Sequence, residues 1–560
     1  MMKSPLLSKF LLFVVFSLTL FLFIQLSRDF DLSIDLTEEK RHTLSSSAKL
    51  VIAEIKEPIN IECYLAGELP TGFLRFQKAI EGILERISIE SQNQVSFSFV
   101  DPSQAKSTKA RNEFYRSLME MGLQPTNLTF KEQGKKSEKL IFPGAVLSYR
   151  GKEIPLPLLK SSRSASPEQM LNESIEHLEY EFISGIQSIM EMERRRVAFI
   201  TGHHEPDTSL LAGFTNSILS KYDLYKVDLS QRKQGLARYD VVIIGKPTTA
   251  FSTYEKYQID QYVMNGGSLL IFVDAMSVKM QEASGPGTIA FPYELNLEDL
   301  LFRYGVRINR DYVVDYQSGS FPVVNGNVGN QSRVQLLQWP FFPVISNYGA
   351  HPLVKGLDAL ELKFVSTLDT VKAVGIKKTP LLLTSKYTKL LKPPIQVKFE
   401  DWAQEIQPQY FRSGPKVVGY LLEGEFSSVF KNRILPGTVD RSLFKPQGSA
   451  AKIIVVGDGD FIKNDFNPRT GEPLPLGVDP LANTTYSNEE FILRALSYMT
   501  DETGLTMIRN KEIKIRPLDR VRIKEEKPYW MLINTLFPVA IVIFLGVVKW
   551  IVRRKWNTTG

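Results

Sequence analysis

The sequence predicts an α/β protein whose large folded body lies between two membrane spans. Three observations carry this reading. Apolar runs close both ends, Phe10–Leu26 and Trp530–Val552, and each approaches the roughly 20 residues needed to cross a hydrocarbon core of about 30 Å. Between about residues 59 and 157, strand-like alternation is interleaved with helix-periodic stretches, the pattern of a mixed α/β domain. Farther on, four nearly continuous apolar runs (196–201, 240–245, 268–274 and 452–457) are separated by helical stretches, as in a parallel sheet covered on both faces.

The N-terminal run follows Lys3 and Lys9 and leaves through Ile24-Gln25-Leu26-Ser27-Arg28, without a small-x-small cleavage pattern. It reads as an uncleaved anchor over 10–26. Lys3 and Lys9 at one end and Arg553, Arg554 and Lys555 at the other place both termini in the cytoplasm and the body on the periplasmic side of the inner membrane. The basic stretch Arg509, Lys511, Lys514, Arg516, Arg520, Arg522, Lys524 and Lys527 opposes that orientation. It reads as a stalk over 501–528, either solvated or touching lipid phosphates.

Within the body, residues 28–50 leave the membrane with alternating polarity, and Ile59–Leu65 reads as a buried strand carrying Cys63. Cys63 is the one cysteine, which excludes an intrachain disulfide and a thiolate zinc site. Phe73, Phe76, Ile80, Ile83, Leu84 and Ile87 line one helical face. A strand at 95–99, a helix at about 108–121 closed by Gly122, and strands near 126–131, 141–149 and 153–157 complete a domain over 28–160. Its β-α-β-α-β-β order is thioredoxin-like, without a Cys-x-x-Cys for redox chemistry. Ser166-Pro167-Glu168-Gln169 is a capping box with proline at the first helical position. The helix it opens carries a stripe from Leu171 to Ile189 and is expected to connect two domains over 163–195.

The second domain is expected over 196–500, with an insertion of about 281–450 whose Gly, Pro, Asn and aromatic content reads as long loops. Trp339, Phe341 and Phe342 in that insertion are a candidate partner-binding loop. Ligands of open α/β sheets bind beyond the carboxyl ends of the strands. His203, His204 and Glu205 follow the first parallel strand, Asp274 the fourth, and Asp458 and Asp460 a later one. These six residues are the candidate crevice, and histidines with carboxylates can hold a divalent metal. The default reading is plainer: Gly202 turns the chain and the polar side chains satisfy loop amides. No Gly-x-Ser-x-Gly, P-loop or Gly-x-Gly-x-x-Gly follows the relevant strands, so a nucleophile elbow, P-loop hydrolysis and dinucleotide binding are unsupported. No basic stripe with interleaved aromatics suggests nucleic acid.

Several segments, in this order, resemble the GldG family of gliding-motility ABC-transporter auxiliary proteins. They are Asp35 through Ser45, Thr201-Gly-His-His-Glu205, Asp260 through Asp274, Val456-Gly-Asp-Gly-Asp460, and Asp501 through Arg520 before the last apolar run. The resemblance implies a permease and a cytoplasmic ATPase as partners, and a substrate-binding-like role linked to gliding and envelope secretion. It also implies a parallel-sheet domain of amidotransferase-like, flavodoxin-like form, whose nucleophile this chain lacks. The expectation is therefore a non-enzymatic accessory subunit with no cofactor and no metal. A free-standing periplasmic receptor, and a metal-dependent envelope hydrolase using His203, His204 and Glu205, are the alternatives.

Overall fold

The computed structural model describes residues 14–19, 21, 43–104, 107–132, 135–160, 166–191, 193–230, 235–279, 287–328, 331–402, 406–437, 439–510 and 520–556. They form a mixed α/β protein in two compact units, one through Lys511 and one from Glu512 onward. The expected first span over 10–26 and the exit at 28–42 fall mostly outside the described residues; 14–19 are helical.

In the first unit the chain runs through α1 (Ser46–Ala53), β1 (Ile59–Cys63), α2 (Thr71–Glu90), β2 (Val95–Phe99), α3 (Thr108–Glu120), a hairpin over 126–141, β3 (Gly144–Tyr149), β4 (Lys152–Pro157) and α4 (Pro167–Met190). The sheet order is β2-β1-β3-β4. β1 and β2 are parallel, and β3 and β4 turn back antiparallel. Five of the six residues expected on the α2 face are buried: Phe76, Ile80, Ile83, Leu84 and Ile87. Full burial of such side chains stabilises by about 1.5–3 kcal/mol each. Cys63 is buried in β1 as expected, and burial pushes its thiol up to about 12.

The Ser166 capping box forms in full: its hydroxyl accepts from Gln169 N and the Gln169 side chain accepts from Ser166 N. The helix it starts is not a connector. Leu171, Leu178, Phe182, Ile183, Ile186 and Ile189 of α4 share one core with α1, α2, β1 and β3. Two faces of α4 are buried because its stripe is wide, so the helix completes the first layer. Leu505 and Ile508 enter the same core, and Asp501 ties the turn to Thr503 and Thr506. Residues 501–510 therefore belong to the folded body, not to a stalk. The basic run begins only at Arg509, and before it two apolar residues three apart decide the packing.

Next come β5 (Arg196–Thr201), α5 (Ala212–Leu219), β6 (Asp223–Asp228), β7 (Val241–Gly245), α6 (Thr253–Met264), β8 (Ser268–Phe272), α7 (Glu298–Tyr304), β9 (Asn347–Tyr348), β10 (Ile376–Leu383), β11 (Val417–Ser427), β12 (Gln447–Val456) and α8 (Asn488–Thr500). One eight-stranded sheet has the order β9-β10-β11-β12-β8-β7-β5-β6. β12, β8, β7, β5 and β6 are parallel; β11, β10 and β9 extend the sheet antiparallel. α5 and α8 cover one face with Phe214, Ile218, Phe491 and Leu496. α6 and α7 cover the other with Ile259, Val263, Leu300 and Tyr304. Every residue of β7 and β8 is buried, which is why both read as unbroken apolar runs.

The expected insertion is thus partly sheet. Residues 318–328 and 331–345 pair as an antiparallel hairpin, and Trp339 and Phe341 are 0% exposed and Phe342 7% exposed. Trp339 lies 4.7 Å from the Phe399 ring and 5.3 Å from Phe341. These rings form a core of their own with Tyr312, Phe364 and Phe411, so the candidate partner loop is not on the surface.

In the second unit α9 (Arg520–Trp556) contains Glu526–Val547, which among the described residues is the one helix long and apolar enough to cross a membrane. Its 22 residues span about 33 Å at 1.5 Å each. Tyr529 and Trp530 stand near its start, the aromatic types enriched at a membrane interface.

Candidate functional site

The carboxyl ends of the parallel strands hold two separate groups of polar side chains. The first begins where β5 ends. Gly202 has φ +111° and His204 φ +55°, so the chain reverses sharply, and the Glu205 carboxylate folds back to accept from Gly202 N at 3.0 Å and His203 N at 3.1 Å. His203 stacks on Phe251 with ring centroids 3.6 Å apart. Its Nδ1 lies 3.5 Å from Glu205 and its Nε2 3.5 Å from Glu255. Burial opposes charge on this imidazole, but the two glutamates prevail and its pKa is raised. Glu255, at the third position of α6, accepts from Ser252 N at 2.7 Å. Burial pushes its carboxyl up, yet the Ser252 hydrogen bonds and His203 hold it below the usual range. His204 is exposed and faces Thr249.

The second group sits beyond β7, β8 and β12. Lys246 directly follows β7, and its ammonium lies 2.5 Å from Asp274 and 2.8 Å from Asp460. Lys463 meets the other oxygen of Asp460 at 2.9 Å. Asp274 also accepts from Gly459 N at 2.6 Å. Asp458 accepts from Asp460 N at 2.7 Å, Phe461 N at 3.2 Å and Lys363 N at 2.7 Å. A Cβ on Gly459 would lie 2.8 Å from Lys246 Cγ and 3.1 Å from Asp274, so only glycine lets this loop approach so closely. Burial, reinforced by the charges of Asp274 and Asp460, pushes the Asp458 carboxyl well up. Burial also opposes ionisation of Asp460, but Lys246 and Lys463 overcome it and hold that carboxyl low. Lys246 is likewise held protonated by Asp274 and Asp460 against its own burial.

The six expected crevice residues therefore divide. His203 and Glu205 meet each other, Asp274, Asp458 and Asp460 meet each other, and among the described residues no hydrogen bond or ion pair joins the two groups. Each aspartate offers a ligand atom within 4.8 Å of the others, an oxygen set that would suit a hard cation. The Lys246 ammonium already lies against two of those carboxylates, and the remaining oxygens take backbone N–H groups and Lys463. In this arrangement the Lys246 ammonium balances the charge between Asp274 and Asp460 from within the chain. Lys246, Lys363 and Lys463 escaped the sequence reading, although Lys246 carried a readable signal as a lysine ending an apolar strand.

Comparison with known proteins gives a relative that matches over nearly the whole chain. An uncharacterized protein of Borreliella burgdorferi is 21% identical over 543 residues, covering 94% of each chain. Among solved structures, the mmIFT52 N-terminal domain matches at 12% identity with a TM-score of 0.31, over 55% of this chain and 97% of that one. A ThuA-like protein from Parabacteroides merdae matches at 12% identity with a TM-score of 0.26, over 58% and 94%. Neither structural likeness is strong enough to carry an argument. Residues 38–148 match a domain of unknown function. Residues 194–495, which hold the whole eight-stranded sheet and both polar groups, match the family described as an ABC-type uncharacterized transport system; with more than half of its length in that match, the chain belongs to this family of ABC-transport auxiliary proteins.

Proposed function

We propose that this chain is a non-enzymatic accessory subunit, anchored in the inner membrane, of an ABC transporter that serves gliding motility and the associated envelope secretion machinery. A permease and a cytoplasmic ATPase are its partners, both termini are cytoplasmic and the body is periplasmic. The observation that carries the non-enzymatic part is the Lys246 ammonium between Asp274 and Asp460. It neutralises, from inside the chain, two of the strand-end carboxylates that a metal-dependent hydrolase would keep available. The transporter part is supported by the family, the anchoring part by the apolar helix Glu526–Val547, and the gliding part by the GldG-like segments. In this reading the first domain is thioredoxin-like and the second amidotransferase-like, each retaining the scaffold without the chemistry.

The test is purification of tagged, full-length protein from its own membranes in mild detergent, with the co-purifying chains identified by mass spectrometry. A polytopic permease and an ATPase are expected. Recovery of this chain alone, under conditions that keep a known transporter intact, would overturn the subunit reading. Deletion of 526–547 should abolish recovery of the permease.

A further inference from the structure

The end of the sheet opposite Lys246 carries a second charged region of different character. Ser427 at the end of β11 pairs with Gln447 at the start of β12, so the loop after β11 leaves at the amino ends of the parallel strands. There, α7, the strand Val306–Ile308 and the loop 428–433 enclose an open groove of about 920 Å³. Its lining includes the cations Arg303, Arg307, Arg310, Lys431 and Arg433 against the two carboxylates Glu298 and Asp299, with Phe302 beside them. Arg307 meets Asp369 at 2.8 Å, Arg310 meets Glu294 at 3.0 Å, and Arg433 meets Asp299. Each of these guanidiniums remains about half exposed, with donors to spare from its five N–H groups. Among the described residues, Arg303 is held by the Ser427 hydroxyl alone, at 2.8 Å, and Lys431 has no carboxylate partner. Phe302 is 55% exposed.

The groove is rigidly built. Asp260 of α6 is completely buried. It accepts from Ser428 Oγ at 2.6 Å, Val429 N at 3.0 Å, Tyr304 Oη at 3.0 Å and Gln261 Nε2 at 3.0 Å. One buried carboxylate thus pins the loop that carries Lys431 and Arg433 to the helix that carries Arg303. Asp299 adds a second clamp between Arg433 and the buried Lys256. A surface already held in its binding conformation loses less entropy on association.

We propose that this groove is the docking site for an acidic, extended segment of a partner protein. Its carboxylates would meet Arg303, Lys431 and Arg433, and an apolar side chain would lie on Phe302. The charge pattern favours a segment over a lone anion: the cations are spread along a groove with an aromatic face, whereas one phosphate would engage a single fork. Among the described residues the strand Val306–Ile308 pairs with 368–370 and with no other strand, which leaves its second edge without a strand partner, and strand addition is a common route of peptide capture. This inference goes beyond the accessory role and does not depend on it, since the groove binds such a segment or does not, whatever the permease does.

The test uses full-length protein in detergent. A fluorescent nine-residue peptide alternating Glu and Thr around one central Phe is titrated by anisotropy, beside the same peptide with Lys for Glu. Saturable binding of the acidic peptide alone is expected, weakening as salt rises. Arg303→Glu with Lys431→Glu should weaken it by about tenfold or more, near 1.4 kcal/mol per tenfold. Lys377→Glu, on an exposed lysine of β10, should leave it unchanged and controls for a charge reversal elsewhere on the protein. Absence of saturable binding, equal binding of the Lys peptide, or an unaffected Arg303/Lys431 double variant would overturn the proposal. Displacement of the peptide by inorganic phosphate at equal concentration would also overturn it, in favour of a general anion site.

Discussion

The two ends of the eight-stranded sheet carry similar side chains in opposite states. At the carboxyl end, the ammonium groups of Lys246 and Lys463 and the backbone N–H of Lys363 are drawn into a nearly closed cluster with Asp274, Asp458 and Asp460. At the amino end, Arg303 and Lys431 have no carboxylate partner among the described residues, and three further arginines are paired but half exposed. The position of a ligand site in an open α/β sheet points to the carboxyl end. Here the aspartates at that end are answered from within the chain, and the more exposed charge lies at the other. What distinguishes a site from a scaffold in this molecule is whether the charges are already answered within the chain.

Four measurements break or sharpen that contrast. The largest effect is expected from Lys246→Ala, which removes the central cation from buried Asp274 and Asp460. Breaking a buried pair in this way costs about 3–5 kcal/mol, read as a lower denaturation midpoint. An unchanged midpoint would mean the cluster is not closed by that ammonium. Next, Asp260→Ala strands the donors of Ser428, Val429 and Tyr304 beneath the groove, at a cost of about 2–4 kcal/mol. Hydrogen exchange should quicken in 428–433, and if that loop stays protected, the groove is not held from below.

The third concerns Glu361, beside Lys363 at the rim of the closed cluster. Burial raises its carboxyl from 4.5 to about 7. A raised acid contributes stability that is fully present below 4.5 and is lost as pH rises through about 7. Wild type should therefore weaken between these limits by up to about 3 kcal/mol, and Glu361→Gln should flatten the curve and be the more stable protein at pH 8. A variant curve parallel to wild type would refute the assignment. The smallest effect belongs to the open end: Lys431→Ala should change stability by less than about 0.5 kcal/mol, because this exposed lysine has no carboxylate partner among the described residues. A large loss there would mean that the groove is as internally satisfied as the crevice.

Legibility followed the range of the interactions. The stripe Phe76–Ile87 and the Ser166 capping box involve neighbours within a few residues, so periodicity and spacing revealed them. The runs at 241–245 and 268–272 announced burial on both faces because each residue is covered. Trp339, Phe341 and Phe342 misled because their partners, Phe399, Phe364 and Tyr312, are distant in the chain. Without knowing those partners, an aromatic segment among glycines and prolines looks like an exposed loop. His203 and Asp274 both follow parallel strands, and that shared place suggested one site. The side chains instead choose separate partners, Glu255 for His203 and Lys246 for Asp274.

By itself the sequence determined what depends on local pattern: an α/β body, its parallel strands, its capped helices and an apolar C-terminal helix. Each follows from side-chain period, backbone preference or length, which neighbouring residues settle among themselves. Only the tertiary structure decided that Lys246 closes the acidic crevice, that the aromatic insertion is a core, and that the arginines of α7 and the 428–433 loop face one groove. Those outcomes depend on which distant charges and rings meet. A charge buried beside its counter-ion and a charge left facing water have the same letter in the sequence, and the energy that separates them comes from contacts made only when the chain is folded.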